Sequence, residues 1–149
     1  GPHWWGLLCT LGLILSGSFF FLRQSLEIGE GTMLVCIGFM VLCTVSLFFV
    51  GCGDPGIITK RGIPRDGSDI SNWRWCDLCS VYQPPRAAHC PECNICVAGY
   101  DHHCPWMGTC VGRKNMKAFI IFNLSWLFYI FFAIGWVTIV GPQTKLKSD

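Results

Sequence analysis

Three stretches of this chain run without a charged side chain for the thickness of a lipid bilayer. Residues 4–22 (WWGLLCTLGLILSGSFFFL) and 32–50 (TMLVCIGFMVLCTVSLFFV) hold 19 residues each, and residues 118–140 (AFIIFNLSWLFYIFFAIGWVTIV) hold 23. A hydrocarbon core takes about 20 apolar residues in helical form, within roughly 17–25. Helix is required there because no water is present to satisfy a free backbone amide. A chain of 149 residues is too small to bury three such helices as a soluble protein. The first run also lacks the basic leader of a secretory signal, and no polar mature domain follows it. The fold expected is an α-helical, multi-span membrane protein embedded in a lipid bilayer.

The segments between the runs predict sidedness. Residues 23–31 carry one basic residue, Arg23, and two glutamates. Residues 51–117 carry eight: Lys60, Arg61, Arg65, Arg74, Arg86, Arg113, Lys114 and Lys117. Basic residues collect on the cytoplasmic side, so the long block and the N-terminus are expected there. The third span then exits to the other side and ends in the tail 141–149. A net charge of +2 is too small to argue for nucleic acid, and no basic recognition helix separates the ligand pairs described next.

The long block opens with Asp54-Pro55-Gly56, a turn that stops the second helix. Residues 57–72 read as a linker. Residues 76–110 then gather seven of the eleven cysteines and three of the four histidines. No apolar periodicity there is long enough to build a core, so this domain is expected to be irregular and stapled by something other than burial. Cytoplasmic thiols stay reduced, which favours metal over disulfide. The spacing C-x2-C-x9-H-C-x2-C-x2-C-x5-H-H-C-x5-C contains two knuckle pairs, Cys76/Cys79 and Cys90/Cys93. Cys90, Cys93 and Cys96 begin like an iron–sulfur run, but the fourth cysteine that such a run needs three residues later is missing. Two closed tetrahedral zinc sites use eight ligands, and ten cysteine and histidine residues are present. Two are therefore spare, and spacing alone leaves open which two. Asp101-His102-His103-Cys104 does contain every part of a cysteine–histidine–carboxylate relay, in which the imidazole activates the thiol and the carboxylate orients the imidazole.

These residues resemble the cysteine-rich domain of the DHHC family of protein S-acyltransferases, the palmitoyltransferases. The resemblance is carried by the ligand ladder, Pro84-Pro85-Arg86, His89-Cys90, Asp101-His102-His103-Cys104-Pro105-Trp106, Cys110-Val111-Gly112 and Asp54-Pro55-Gly56. It places the DPG turn, linker and zinc domain in residues 54–117, with a core at 76–115. It implies one structural zinc ion on Cys76, Cys79, His89 and Cys96, and a second on Cys90, Cys93, His103 and Cys110. His102 and Cys104 are then the spare pair: Cys104 the nucleophile, His102 its base and Asp101 the orienting carboxylate. The activity implied moves a long-chain acyl group from acyl-CoA to cysteines of membrane-associated substrate proteins through an acyl-enzyme. Arg86, Arg113, Lys114 and Lys117 flank the motif and are the residues expected to meet the CoA phosphates. Their other reading is anchoring against anionic lipid. The family setting implies an endomembrane (Golgi or endoplasmic reticulum) or plasma-membrane protein with its active site in the cytoplasm. Its usual layout has four spans, so the expectation is a chain truncated before the fourth. The alternative readings are a membrane-tethered zinc module that binds a protein partner, and an inactive truncated isoform.

Overall fold

The computed structural model describes residues 2–25, 30–59 and 70–139. Lys60, Arg61 and Arg65, with most of the expected linker, lie outside the described residues, as does the tail 141–149.

Three helices account for the apolar runs: α1 (Trp4–Ser25), α2 (Glu30–Gly51) and α3 (Met116–Ile139). Each is long and apolar enough to cross a membrane. Each buries one stripe and leaves the rest of its apolar surface outward, as a helix facing lipid must. The stripe is Ile14, Ser18 and Phe21 on α1, Cys36, Cys43, Leu47 and Val50 on α2, and Phe122, Ser125, Tyr129 and Trp136 on α3. Small residues on these stripes let the helices approach closely, and polar side chains cross between them. The Tyr129 hydroxyl donates to Ser18 Oγ at 2.8 Å and lies 3.0 Å from Cys36 Sγ, so one side chain joins all three helices. Leu8, Phe19, Phe20, Phe48, Phe49, Phe128 and Phe131 remain exposed on the outer faces.

The cysteine-rich segment is more regular than its apolar pattern suggests. Six three-residue strands form three antiparallel hairpins: β1 (Arg74–Cys76) with β2 (Val81–Gln83), β3 (Ala88–Cys90) with β4 (Ile95–Val97), and β5 (His102–Cys104) with β6 (Thr109–Val111). Strands this short show no alternation to read, and a lone hairpin is marginal in water. What shapes each is its turn. Ser80, Asn94 and Gly108, at φ 52, 52 and 68, occupy the same place before the returning strand. The third turn is a 3-10 helix, Pro105–Met107, closed by Gly108 N–H donating to the Pro105 carbonyl.

Two joints seat the hairpins on the helices. The DPG segment runs along β4: Ala98 N–H donates to the Gly56 carbonyl and Ile58 N–H to the Cys96 carbonyl, both at 2.8 Å. Asp54 accepts from the Gly56 and Ile57 amides through Oδ1 and from Lys114 Nζ through Oδ2. At the second joint the start of α1 meets the third hairpin. A Cβ on Gly6 would collide with the Pro105 carbonyl oxygen, so only glycine fits. Thr10 donates to the Trp106 carbonyl at 2.8 Å. The buried Asn115 ties the base of α3 to both, accepting from Gly112 N–H and donating to the carbonyls of Cys110 and Val50.

Candidate active site and metal centres

A C-x2-C turn folds its two thiols to one side, and the next hairpin supplies the facing pair. Cys76 and Cys79, on the first turn, meet His89 and Cys96, which are register partners across the second hairpin. Cys90 and Cys93, on the second turn, meet His103 and Cys110, register partners across the third. Within each group all ligand atoms lie within 4.8 Å of one another. His89 Nδ1 is 3.2–3.9 Å from its three thiols and His103 Nδ1 is 3.3–3.8 Å from its three. A tetrahedral ion with bonds of about 2.0–2.3 Å sets its ligand atoms about 3.5–3.8 Å apart. The Cys3His donor sets therefore fit a tetrahedral divalent ion in both clusters. The structure thus brings together, in two groups of four, the eight residues that the family resemblance divides between two ions.

The thiols are prepared unequally. In the first turn the Cys79 backbone N–H bonds the Cys76 thiol and holds it below the ordinary cysteine value. For Cys90 burial opposes the shift, yet the Cys93 backbone N–H and the Cys110 side chain bring it down. Cys96 goes the other way: burial pushes it up to about 12, although Gln83 Nε2 donates to its sulfur at 3.1 Å. Burial likewise raises Cys110. Neutral imidazole is the ligating form, and burial, helped by nearby His3, keeps His103 below its usual value.

Strand alternation sorts the two adjacent histidines. In β5 the side chains of His102 and Cys104 share one face and His103 takes the other. His103 thus enters the second cluster, while His102 Nδ1 lies 2.8 Å from Asp101 Oδ2. The His102 ring also sits edge-on to Phe119, 5.3 Å away. Phe119 and the buried Cys104 line one cavity of about 360 Å³, walled by Trp106, Met107, Phe122 and Trp126. Leu13 and Trp126 are shared with a second space of about 170 Å³ that descends past Gly17 to Ser18 and Tyr129. Trp106 is therefore a cavity wall as well as an exposed aromatic.

The basic residues are dispersed. Arg86, Arg113 and Lys117 are exposed, whereas Lys114 gives its ammonium to Asp54 at 2.6 Å. Three contributors to the site carry no motif. Gln83 is a donor to a ligand sulfur, Asn115 is a buried bracket under the hairpins, and His3 lies 2.8 Å from the second nitrogen of His103. A signal for Gln83 does exist, because Gln83, Val97 and Val111 follow one another at intervals of 14 residues in a recurring frame. None exists for His3, which is separated from its partner by 100 residues.

Comparison with known proteins agrees with this geometry. The DHHC palmitoyltransferase family model matches residues 69–145, about half of the chain. Among similar proteins are Protein S-acyltransferase 8 of Arabidopsis thaliana, 34% identical over 65% of this chain and 31% of its own length, and Probable protein S-acyltransferase 7 of the same plant, 46% identical over 74% and 32%. Palmitoyltransferase erf2 of Schizosaccharomyces pombe is 29% identical over 91% of this chain and 47% of its own. The chain spans about a third to a half of the length of these relatives. With two clusters that could each hold a metal ion, an Asp101–His102 pair at the start of the strand that carries Cys104 and its match to that model, the chain belongs to the DHHC palmitoyltransferase family.

Proposed function

We propose that this chain is the core of a protein S-acyltransferase which takes a long-chain acyl group from acyl-CoA and hands it to cysteine thiols of membrane-associated proteins at the cytoplasmic face. The observation that carries the reading is the position of Cys104: one face of β5 offers it with His102, and Cys104 lines an apolar cavity between helices.

In the first step the Cys104 sulfur attacks the thioester carbonyl, the bond to the CoA sulfur breaks, and the proton taken from Cys104 by His102 goes to the departing CoA thiolate. In the second, His102 takes the proton of a substrate thiol, that sulfur attacks the Cys104 thioester, and Cys104 leaves as the thiol. Asp101 holds the tautomer with Nδ1–H toward itself and leaves Nε2 free to move the proton. Thioester exchange is nearly thermoneutral, so the chain's task is to position the partners and expose a thiolate. The apolar cavity supplies the position. From Phe119 to Tyr129 is about 15 Å along α3 by helical rise, room for most of a long acyl chain. Burying that chain is favourable by about 0.8 kcal/mol per methylene. The Ser18–Tyr129 bond forms its floor.

Zinc suits both Cys3His clusters and would act structurally, holding the three hairpins in register. For the CoA phosphates, exposed Arg86, Arg113 and Lys117 are better candidates than Lys114, whose charge Asp54 already engages. The purified chain in detergent, given labelled palmitoyl-CoA, should acquire a hydroxylamine-labile label that Cys104→Ser lacks at equal zinc content. An unlabelled parent with both metal sites loaded would sink catalysis by this chain.

A further inference from the structure

The metal-binding imidazole His103 has an unusual partner. Its Nε2 lies 2.8 Å from Nδ1 of His3. The two rings meet edge to face with centroids 4.9 Å apart, and Trp5 packs edge-on against His3 at 5.9 Å. An imidazole that ligates through Nδ1 carries its hydrogen on Nε2, so His103 donates and His3 accepts. Ligating histidines ordinarily give that hydrogen to a carboxylate, a carbonyl or water. Here the acceptor is a second imidazole, delivered from the beginning of a membrane helix.

The surroundings hold His3 in place. Its carbonyl accepts from Gly6 N–H at 2.9 Å, which starts α1. Gly108, at φ 68, lies so close that a Cβ there would stand 3.0 Å from the same carbonyl oxygen. A few residues on, Gly6 abuts Pro105 and Thr10 bonds the Trp106 carbonyl, so the first turns of α1 grip the loop that follows Cys104.

We infer that His3 is a positioning residue for the second metal centre: its Nδ1 fixes the ring plane of His103 and thereby anchors the hairpin bearing Cys104 to α1. The inference rests on the metal reading of that cluster. Removing such an outer partner typically weakens metal binding 10–100-fold. The first centre draws on none of these residues and serves as the internal control.

Two variants separate the hydrogen bond from simple packing. His3→Phe keeps an aromatic ring against Trp5 and removes the acceptor; His3→Asn keeps an acceptor oxygen near the place of Nδ1. The full chain, purified in detergent and loaded with zinc, is challenged with a chelator while free thiols are trapped by maleimide and located by peptide mass spectrometry. In His3→Phe, Cys90, Cys93 and Cys110 should become labelled about 10–100-fold faster, with Cys76, Cys79 and Cys96 unchanged. His3→Asn should stay within a few-fold of the parent. Unchanged labelling in His3→Phe overturns the assignment, as does equal loosening of both centres or a failure of His3→Asn to recover protection. A parent that holds no zinc removes the metal reading itself, and a parent with two ions keeps that failure distinct from one at His3.

Discussion

The first two hairpins and the third share one backbone plan and differ at a handful of side chains. Cys76, Cys90 and Cys104 recur 14 residues apart at the same corner. Three residues later stand Cys79, Cys93 and Met107, and one further on the left-handed Ser80, Asn94 and Gly108. Across the strands the matching pairs are Trp75–Tyr82, His89–Cys96 and His103–Cys110. Each metal centre joins the knuckle of one hairpin to the cross-strand pair of the next. A row built this way has two unmatched ends, much as the terminal units of a repeat array depart from the rest. One end is closed by the Trp75–Tyr82 contact, with ring centroids 4.8 Å apart. At the other, α3 follows β6, and the knuckle position holds Cys104 with methionine in place of its mate. On the proposed reading, a scaffold of thiols set to hold metal leaves one thiol, Cys104, outside both clusters. The proposed nucleophile then occupies what is a ligand position in the other two hairpins, with its partners withdrawn.

The comparison is broken hardest by making one substitution at two equivalent corners. Cys90→Ser removes a ligand, and structural zinc binding is worth about 10–16 kcal/mol in small zinc modules. Metal content should fall from two ions to one, and the second and third hairpins should become protease-sensitive. Cys104→Ser should keep both ions and a melting temperature near the parent's, while the covalent acyl label disappears. Metal analysis on the two proteins decides: loss of an ion from Cys104→Ser would make Cys104 a ligand and undo the plan.

Met107→Cys sharpens the same point from the other side, because it restores a C-x2-C knuckle in the third hairpin. Met107 is 4% exposed and packs beneath the first helix, so shortening it should cost about 2–3 kcal/mol. Metal content should nevertheless stay at two, since two thiols without a facing histidine–cysteine pair do not close a tetrahedron. A third tightly held ion would show that the knuckle alone suffices. A smaller effect is expected at Gln83, which donates to the Cys96 sulfur. Gln83→Leu should loosen the first centre about 10-fold and spare the second, read as zinc transfer to a chelator.

Legibility in the sequence followed the strength of the physical constraint. The three helices can be read from uncharged length alone, because nothing else satisfies a backbone in hydrocarbon. The cysteine and histidine ladder announces metal, but the division of ligands came from family resemblance, and spacing left it open. Hairpins escaped because their strands are three residues long and their hydrophobic alternation never completes a cycle. The 14-residue recurrence lies in plain view at Cys76, Cys90 and Cys104, yet Met107 and the Trp75–Tyr82 pair interrupt it where a repeat would be sought. Contacts such as His3–His103 and Tyr129–Ser18 exist only once helices pack, and no local signal encodes them.

The smallest effect lies at the joint beside the second hairpin. Lys114, together with the Ile57 and Gly56 amides, holds the Asp54 carboxyl down to about 2, against an ordinary value near 4. A depressed folded-state value means that the stabilisation is fully present above the unfolded value and fades as pH falls from about 4 through 2. Between pH 5 and 8 the carboxyl is therefore ionised in both states, and its contribution is flat. Both partners are about half exposed, so solvent screening limits the ion pair to about 0–1 kcal/mol. Asp54→Asn retains the Oδ1 acceptor for the two amides and loses only that pair, so it should cost at most about 1 kcal/mol, less in high salt. Asp54→Ala also orphans the amides that turn the chain onto β4, and should cost about 1–2 kcal/mol more. Thermal unfolding of both variants at pH 5 and pH 8 provides the check. A cost for Asp54→Asn that changes across that window would show that the carboxyl titrates there. The DPG turn would then hold the second hairpin by something other than an ionised Asp54.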